Sequence, residues 1–183
     1  MYFNGIRKVA DVIPSLGEDG FLPRGRYHAT IPEVEGTFVT NSVRSSIWED
    51  WKRLCKLVGA VAGTDFSVWL GGSFISSKVQ PGDIDSVFLI RREVLIDMTQ
   101  EQHDLLSIVG SARTKDVLGL NVDSYTITID YPTDASFPQE GTNAFKFISY
   151  RGYWDNLWAS CRGDHGMIGD SRGYLEVIVD DSI

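Results

Sequence analysis

Between positions 42 and 62 the apolar residues recur at spacings of one and three. Ile47, Trp48, Trp51, Leu54, Cys55 and Val58 form one stripe, which predicts an amphipathic helix over Ser42–Ala62. Asn41 or Ser42 can cap its start, and Gly63 stops it. Two tryptophans on that stripe read as core rather than as a platform for stacking a base. The rhythm then changes. Residues 66–70 and 84–90 are continuous apolar runs joined by a polar loop, which predicts two strands. Thr99 and Gln102 form a capping box that opens a helix carrying Leu105, Leu106, Ile108 and Val109, with Gly110 at its end. His103 in its first turn reads as solvated. Residues 121–129 alternate, with Asp123, Tyr125, Ile127 and Ile129 on one face and Ser124, Thr126 and Thr128 on the other. A loop over 131–141 leads to a helical region over 143–161, expected to break or bend at Arg151-Gly152. Its apolar residues are Phe145, Ile148, Trp154, Leu157, Trp158 and Cys161. Residues 162–173 read as a mobile glycine-rich loop, 175–179 as a final strand, and Asp180-Asp181 as a solvated tail. Residues 1–36 read as irregular, apart from a capping box with an early proline at Thr30-Ile31-Pro32-Glu33 that predicts a short helix.

Strands alternating with capped helices predict an α/β (α+β) fold, a small mixed sheet with helices packed on one side. The reading divides the chain into an N-terminal arm and short helix over 1–40 and the main domain over 41–183, one compact unit overall. A length of 183 residues suits that unit and its core. There is no internal repeat, long linker or low-complexity segment. Composition narrows the partners. The formal net charge of −8 argues against a broad electrostatic hold on long nucleic acid, though it leaves room for a local basic groove or for docking a basic partner. Two cysteines, Cys55 and Cys161, are too few for a disulfide framework, and both read as buried thiols among apolar neighbours. The chain shows no signal peptide and no apolar run long enough to span a bilayer, so it reads as cytoplasmic, with no membrane partner.

The chemistry concentrates at Leu70-Gly71-Gly72-Ser73-Phe74 and Pro81-Gly82-Asp83-Ile84-Asp85. Side chains alternate along a strand, so Asp83 and Asp85 share a face and Ile84 takes the other. Two carboxylates on one face of a strand end suit one or two hard divalent cations. Mg²⁺ fits best, or Mn²⁺, because Mg²⁺ also keeps waters and substrate phosphates in its shell. Gly71 and Gly72 let backbone N–H groups approach an anion, and Ser73 adds a hydroxyl donor at the start of a short helix. A phosphate cradle beside carboxylates is the equipment of phosphoryl or nucleotidyl transfer.

Gly72-Ser73 followed by Asp83-Ile84-Asp85 on the next strand resembles the signature of polymerase-β-type nucleotidyltransferases, closest to their small minimal bacterial members. Leu22-Pro23-Arg24-Gly25, Ala29-Thr30, Phe74, Lys78 and Pro81 extend the likeness to an uncharacterised bacterial branch. The resemblance implies a polymerase-β-like fold and transfer of an NMP from an NTP to a hydroxyl, with pyrophosphate leaving. It implies that Asp83 and Asp85 hold the metal that grips the triphosphate. Asp123, on the neighbouring strand, would be the third carboxylate, sharing a second metal and helping to deprotonate or orient the attacking hydroxyl; Asp130 is the rival for that place. Gly72 and Ser73 would bind the β- and γ-phosphates. Lys78 would either neutralise phosphate charge or be a plain loop lysine. Arg24 and Arg26 would sit either in a surface loop or on an arm near the nucleotide. The base is unassigned, so ATP-binding is one of four options beside GTP, CTP and UTP. The implied acceptors are a tRNA end, a protein or a small molecule, often within toxin–antitoxin or phage-defence pairs, with a cognate toxin or antitoxin as partner. The alternatives are a catalytically silent nucleotide-binding or antitoxin-like module acting by contact, and an unrelated α/β domain whose Asp-x-Asp binds a structural cation.

Overall fold

The computed structural model describes residues 13–63, 66–130, 137–162, 168–180 and 183. A five-stranded mixed sheet runs in the order β1-β7-β2-β3-β4. Its strands are β1 (Gly25–Ala29), β2 (Phe66–Gly71), β3 (Ile84–Arg91), β4 (Val122–Ile129) and β7 (Gly173–Val179). β1 lies parallel to β7, β2 lies antiparallel to both β7 and β3, and β3 lies parallel to β4. The helices are α1 (Ile31–Phe38), α2 (Ser42–Ala62), α3 (Arg92–Ile96), α4 (Gln100–Val109), α5 (Thr114–Leu118) and α6 (Asn143–Trp158). A 3-10 turn, Gly72–Ile75, follows β2, and β5 (Ser160–Arg162) pairs with β6 (Ile168–Ser171) as a separate hairpin. Among the described residues no helix is long and apolar enough to cross a membrane.

Local sequence dictates several of these bounds. The side chain of Asn41 accepts from the Arg44 amide and starts α2. Thr30 and Glu33 form a reciprocal capping box at α1, and Thr99 and Gln102 form another at α4. The apolar stripe of α2 is core, as its spacing predicts. Trp48 and Trp51 are fully buried and stack at 4.5 Å, and Trp48 stacks in turn on Phe74 of the 3-10 turn at 6.0 Å. Leu22, Ala29, Val34 and Phe38 belong to the same core, so the described part of the N-terminal arm is built into the sheet domain. Burial holds the Cys55 thiol protonated by pushing its pKa well up. The expectation for Cys161 concerns a side chain outside the described residues.

Four expectations change. Helices cover both faces of the sheet. Ser124 and Tyr125 are adjacent on β4 and so point to opposite faces. The Ser124 hydroxyl donates to the Val109 carbonyl at 2.8 Å and bonds Thr114, which puts α4 and α5 on the back face. Tyr125 packs on Trp154 of α6 at 4.7 Å, which puts α6 on the front face. Second, α6 runs through Arg151-Gly152 without a break. A glycine costs a helix interior about 1 kcal/mol, and the burial of Phe147 and Trp158 outweighs that. Third, Gly25–Ala29 is a strand rather than loop, since its backbone pairs with β7 across the whole chain length. Fourth, the described ends of the 162–173 segment are strand, paired in the β5–β6 hairpin or entering β7.

Candidate functional site

One transverse row organises the front face. Gly71 pairs with Asp85, and Asp85 pairs with Asp123. Directly paired residues point to the same side of a sheet, and neighbouring strands lie about 4.8 Å apart. The strand parity that joined Asp85 to Asp123 therefore holds, and Ile84, on the other face, is fully buried. Asp83 lies just before β3. Its charge reaches Asp123, whose carboxyl is pushed above its ordinary pKa by burial first and by Asp83 second. Asp130 stands seven residues beyond Asp123, roughly 23 Å along an extended chain. There it pairs with Arg92 at 3.6 Å.

The two glycines are held to close approach. Gly72 has φ +72°, and an added Cβ would lie 1.4 Å from Oδ2 of Asp85. Any other residue would be strained and would displace that carboxylate. At Gly71 a Cβ would lie 1.8 Å from the Trp158 ring. The sequence reading assigned both positions to an approaching anion. In this structure the space at Gly71 holds the Trp158 ring, and that at Gly72 holds the Asp85 carboxylate. Ser73 is the second residue of the 3-10 turn, and its carbonyl accepts from the Ser76 hydroxyl at 2.8 Å.

Helix α2 positions both halves of the site, through two polar residues that lie beside its apolar stripe. Arg44 is buried, and its guanidinium donates to the carbonyls of Phe38 (3.0 Å), Phe74 (2.5 Å), Ser76 (2.7 Å) and Lys78 (2.6 Å). The same group lies over the Phe74 ring at 5.3 Å. The Asn41 amide adds a bond to the Val79 carbonyl at 2.9 Å. Together they tie down the segment that leaves the Gly-Ser turn. Burial lowers the Arg44 pKa, yet a guanidinium keeps its charge in proteins. Lower on the helix, Asp50 accepts from the backbone N–H (3.1 Å) and side-chain amide (2.8 Å) of Asn121. The Asn121 carbonyl accepts from the Ile84 N–H at 3.2 Å. That chain of bonds fixes the start of β4 against the start of β3, and so Asp123 against Asp83 and Asp85. Neither Arg44 nor Asp50 is singled out by a motif. The available signal is a charged residue set four positions before Trp48 and another four before Leu54, inside an otherwise apolar pattern. Lys78 is exposed and lines a cavity of about 380 Å³ with Arg44, Asn41 and Val79, which none of the three aspartates lines.

Among the described residues no three Asp, Glu, His or Cys side chains converge into a metal cage. The donor set fits a different kind of site. Mg²⁺ is commonly held by one or two carboxylates, with waters and substrate phosphates completing its shell, rather than by an all-protein cage. Asp83 and Asp85 could supply that partial shell, and Asp123 a third oxygen donor from the next strand.

The raised pKa of Asp123 carries a sign that can be measured. The folded chain holds this proton more tightly than the unfolded chain. Its favourable contribution is therefore complete below the ordinary value of 3.8 and is lost as pH rises through the higher folded pKa. At neutral pH, without metal, the ionised carboxylate destabilises the fold. Asp123→Asn should thus raise Tm at pH 7 in EDTA, and the advantage should vanish below about pH 4. Calorimetry that finds the variant no more stable at pH 7 would refute this.

Fold and site together define an α+β protein with a mixed sheet, one end of which carries a glycine turn and a row of carboxylates. The model of a family of unknown function, DUF6932, matches residues 14–178, and the chain belongs to that family. No curated protein matches it. No solved structure matches it either.

Proposed function

We propose that this protein is a metal-dependent nucleotidyltransferase with a polymerase-β-like catalytic arrangement, moving an NMP from an NTP to a hydroxyl of a protein, an RNA end or a small molecule. The observation that carries this reading is the register row Gly71–Asp85–Asp123, with the Gly72 backbone against the Asp85 carboxylate. It brings a backbone turn able to hold phosphate and carboxylates able to hold Mg²⁺ or Mn²⁺ to one end of one sheet face. When bound, the metal neutralises charge on the triphosphate and on the departing pyrophosphate. The chain's own groups do the rest. Asp83 and Asp85 hold the ion. Gly72 and Ser73 offer N–H and hydroxyl donors to the β- and γ-phosphates. Asp123 orients the acceptor hydroxyl and takes its proton, for which a carboxylate of raised basicity is suited. The hydrogen bonds of Arg44 and Asp50 from α2 support this reading, since they tie down the backbone on both sides of the site. A toxin–antitoxin or phage-defence pairing is the setting the sequence resemblance suggests.

The test is incubation with Mg²⁺ and each α-labelled NTP, using cell lysate as acceptor. Label should pass to an acceptor from at least one NTP. Asp123→Ala should cut that transfer by about 10²-fold or more while leaving metal–NTP binding within a few-fold. Binding without transfer from any of the four would make the chain a silent nucleotide-binding module. Absence of metal–NTP binding would end the nucleotide reading altogether.

A further inference from the structure

The register row continues past Gly71. Gly71 lies beside Tyr174 of β7, since Leu70 pairs with Leu175, and Tyr174 pairs with Arg26 of β1. Arg26 and Tyr174 therefore share the front face and the same sheet end with Asp85 and Asp123. A cavity of about 350 Å³ opens there, lined by Arg24, Gly25, Arg26, Arg151, Asp155 and Tyr174 among others. Three strand spacings, about 14 Å, separate Arg26 from Asp85, and the Trp158 ring sits on Gly71 between them. The cavity is thus separate from the carboxylates.

Its charge opposes that of the whole chain. Three guanidinium groups line it against one carboxylate, in a protein of net charge −8. The Asp155 carboxylate accepts the Tyr174 hydroxyl. Arg26 pairs with Glu176 at 3.3 Å and lies over the Trp69 ring at 5.7 Å. Among the described residues the Arg24 and Arg151 guanidinium groups have no carboxylate or hydrogen-bond partner. The Arg24 backbone is nevertheless held. The Tyr27 hydroxyl donates to the Pro23 carbonyl at 3.0 Å, and the Gly173 N–H donates to the Leu22 carbonyl at 2.8 Å. An added Cβ on Gly173 would lie 2.3 Å from the Pro23 carbonyl oxygen, so the arm packs tightly on β7.

We infer that this arginine cavity is a second anion site, built for the phosphomonoester group of a ligand distinct from the triphosphate. A planar guanidinium presents paired N–H donors that match phosphate oxygens, and Arg24 on the held loop and Arg151 on α6 line the same cavity. On the transferase reading, on which this last step rests, the bound phosphomonoester belongs to an acceptor long enough to span the four strand spacings, about 19 Å, that separate Arg26 from Asp123.

Inorganic phosphate and glycerol phosphate, titrated against the full chain and followed by calorimetry and by arginine side-chain NMR, test the site directly. Saturable binding that shifts the Arg24 and Arg151 signals is expected. Arg24→Ala with Arg151→Ala should weaken it at least tenfold without lowering Tm, and Asp83→Asn with Asp85→Asn should leave it unchanged. A 5′-phosphorylated oligonucleotide compared with its unphosphorylated form distinguishes a nucleic-acid end from a small phosphate ester. Absence of saturable binding in the wild type, or equal affinity in the double arginine variant, overturns the inference. Because these titrations contain neither metal nor NTP, their failure leaves the transferase reading standing, and failure of metal–NTP binding leaves the anion site standing.

Discussion

Replacing Asp83 and Asp85 together by asparagine should abolish Mg²⁺-dependent stabilisation and reduce NMP transfer by at least about 10³-fold. The amide keeps the shape of the side chain but removes the charge that a hard cation requires. Asp83 precedes β3, and Asp85 occupies the half-buried end of that strand. Wild-type protein with metal at a hundred times its dissociation constant should gain about 2.7 kcal/mol. For a chain of this length that is a rise in Tm on the order of 5–10 °C. The double variant should show no rise, while its Tm in EDTA stays at or above that of the wild type. The second half follows from the electrostatics, because removing the Asp83 charge relieves Asp123. If scanning calorimetry finds the same metal-induced shift in the variant, the cation binds elsewhere and the carboxylate row is not the site.

Arg44→Met should be strongly destabilising, at about 3–5 kcal/mol. Methionine fills much of the volume but leaves the carbonyls of Phe38, Phe74, Ser76 and Lys78 without their donor. Arg44→Lys should recover little of the loss, because one ammonium cannot reach carbonyls arranged around a planar fork. Tm should fall on the order of 10 °C. Trp51→Ala provides the comparison. It removes a fully buried ring and should cost a similar 3–5 kcal/mol through a cavity in the core. The two should differ locally. Hydrogen exchange in the Arg44 variant should rise selectively at amides of residues 74–78, since that is the segment whose carbonyls it ties down, and NTP affinity should fall with it. In Trp51→Ala exchange should rise across α2 and the sheet, with affinity per folded molecule retained. Denaturant unfolding that finds Arg44→Met within 1 kcal/mol of wild type would show that water satisfies those carbonyls and that the clamp is incidental.

Much of this molecule is written in short-range pattern. Helix α2 was legible to the residue, because an apolar stripe, an Asn41 cap and a Gly63 stop are all local features. The same holds for the capping boxes at Thr30 and Thr99, and for the alternation that puts Asp123 and Tyr125 on one face of β4 and Ser124 on the other, since parity within a strand needs no knowledge of neighbours. Tertiary structure decided the rest. Gly25–Ala29 is a strand only because β7, nearly 150 residues later, offers its backbone, an energy that no local window contains. The short helices α3 and α5 are too brief to show periodicity. Helix α6 continues through Gly152 because burial of Phe147 and Trp158 exceeds a local penalty. Alternation within each strand could not say that Asp85 would stand between Gly71 and Asp123, because pairing register is settled by packing between strands. Arg44, Asp50 and Trp158 were invisible as site residues for one physical reason. Their partners are carbonyls, an asparagine and a glycine far away in sequence, and a side chain's type does not reveal which distant backbone it will meet.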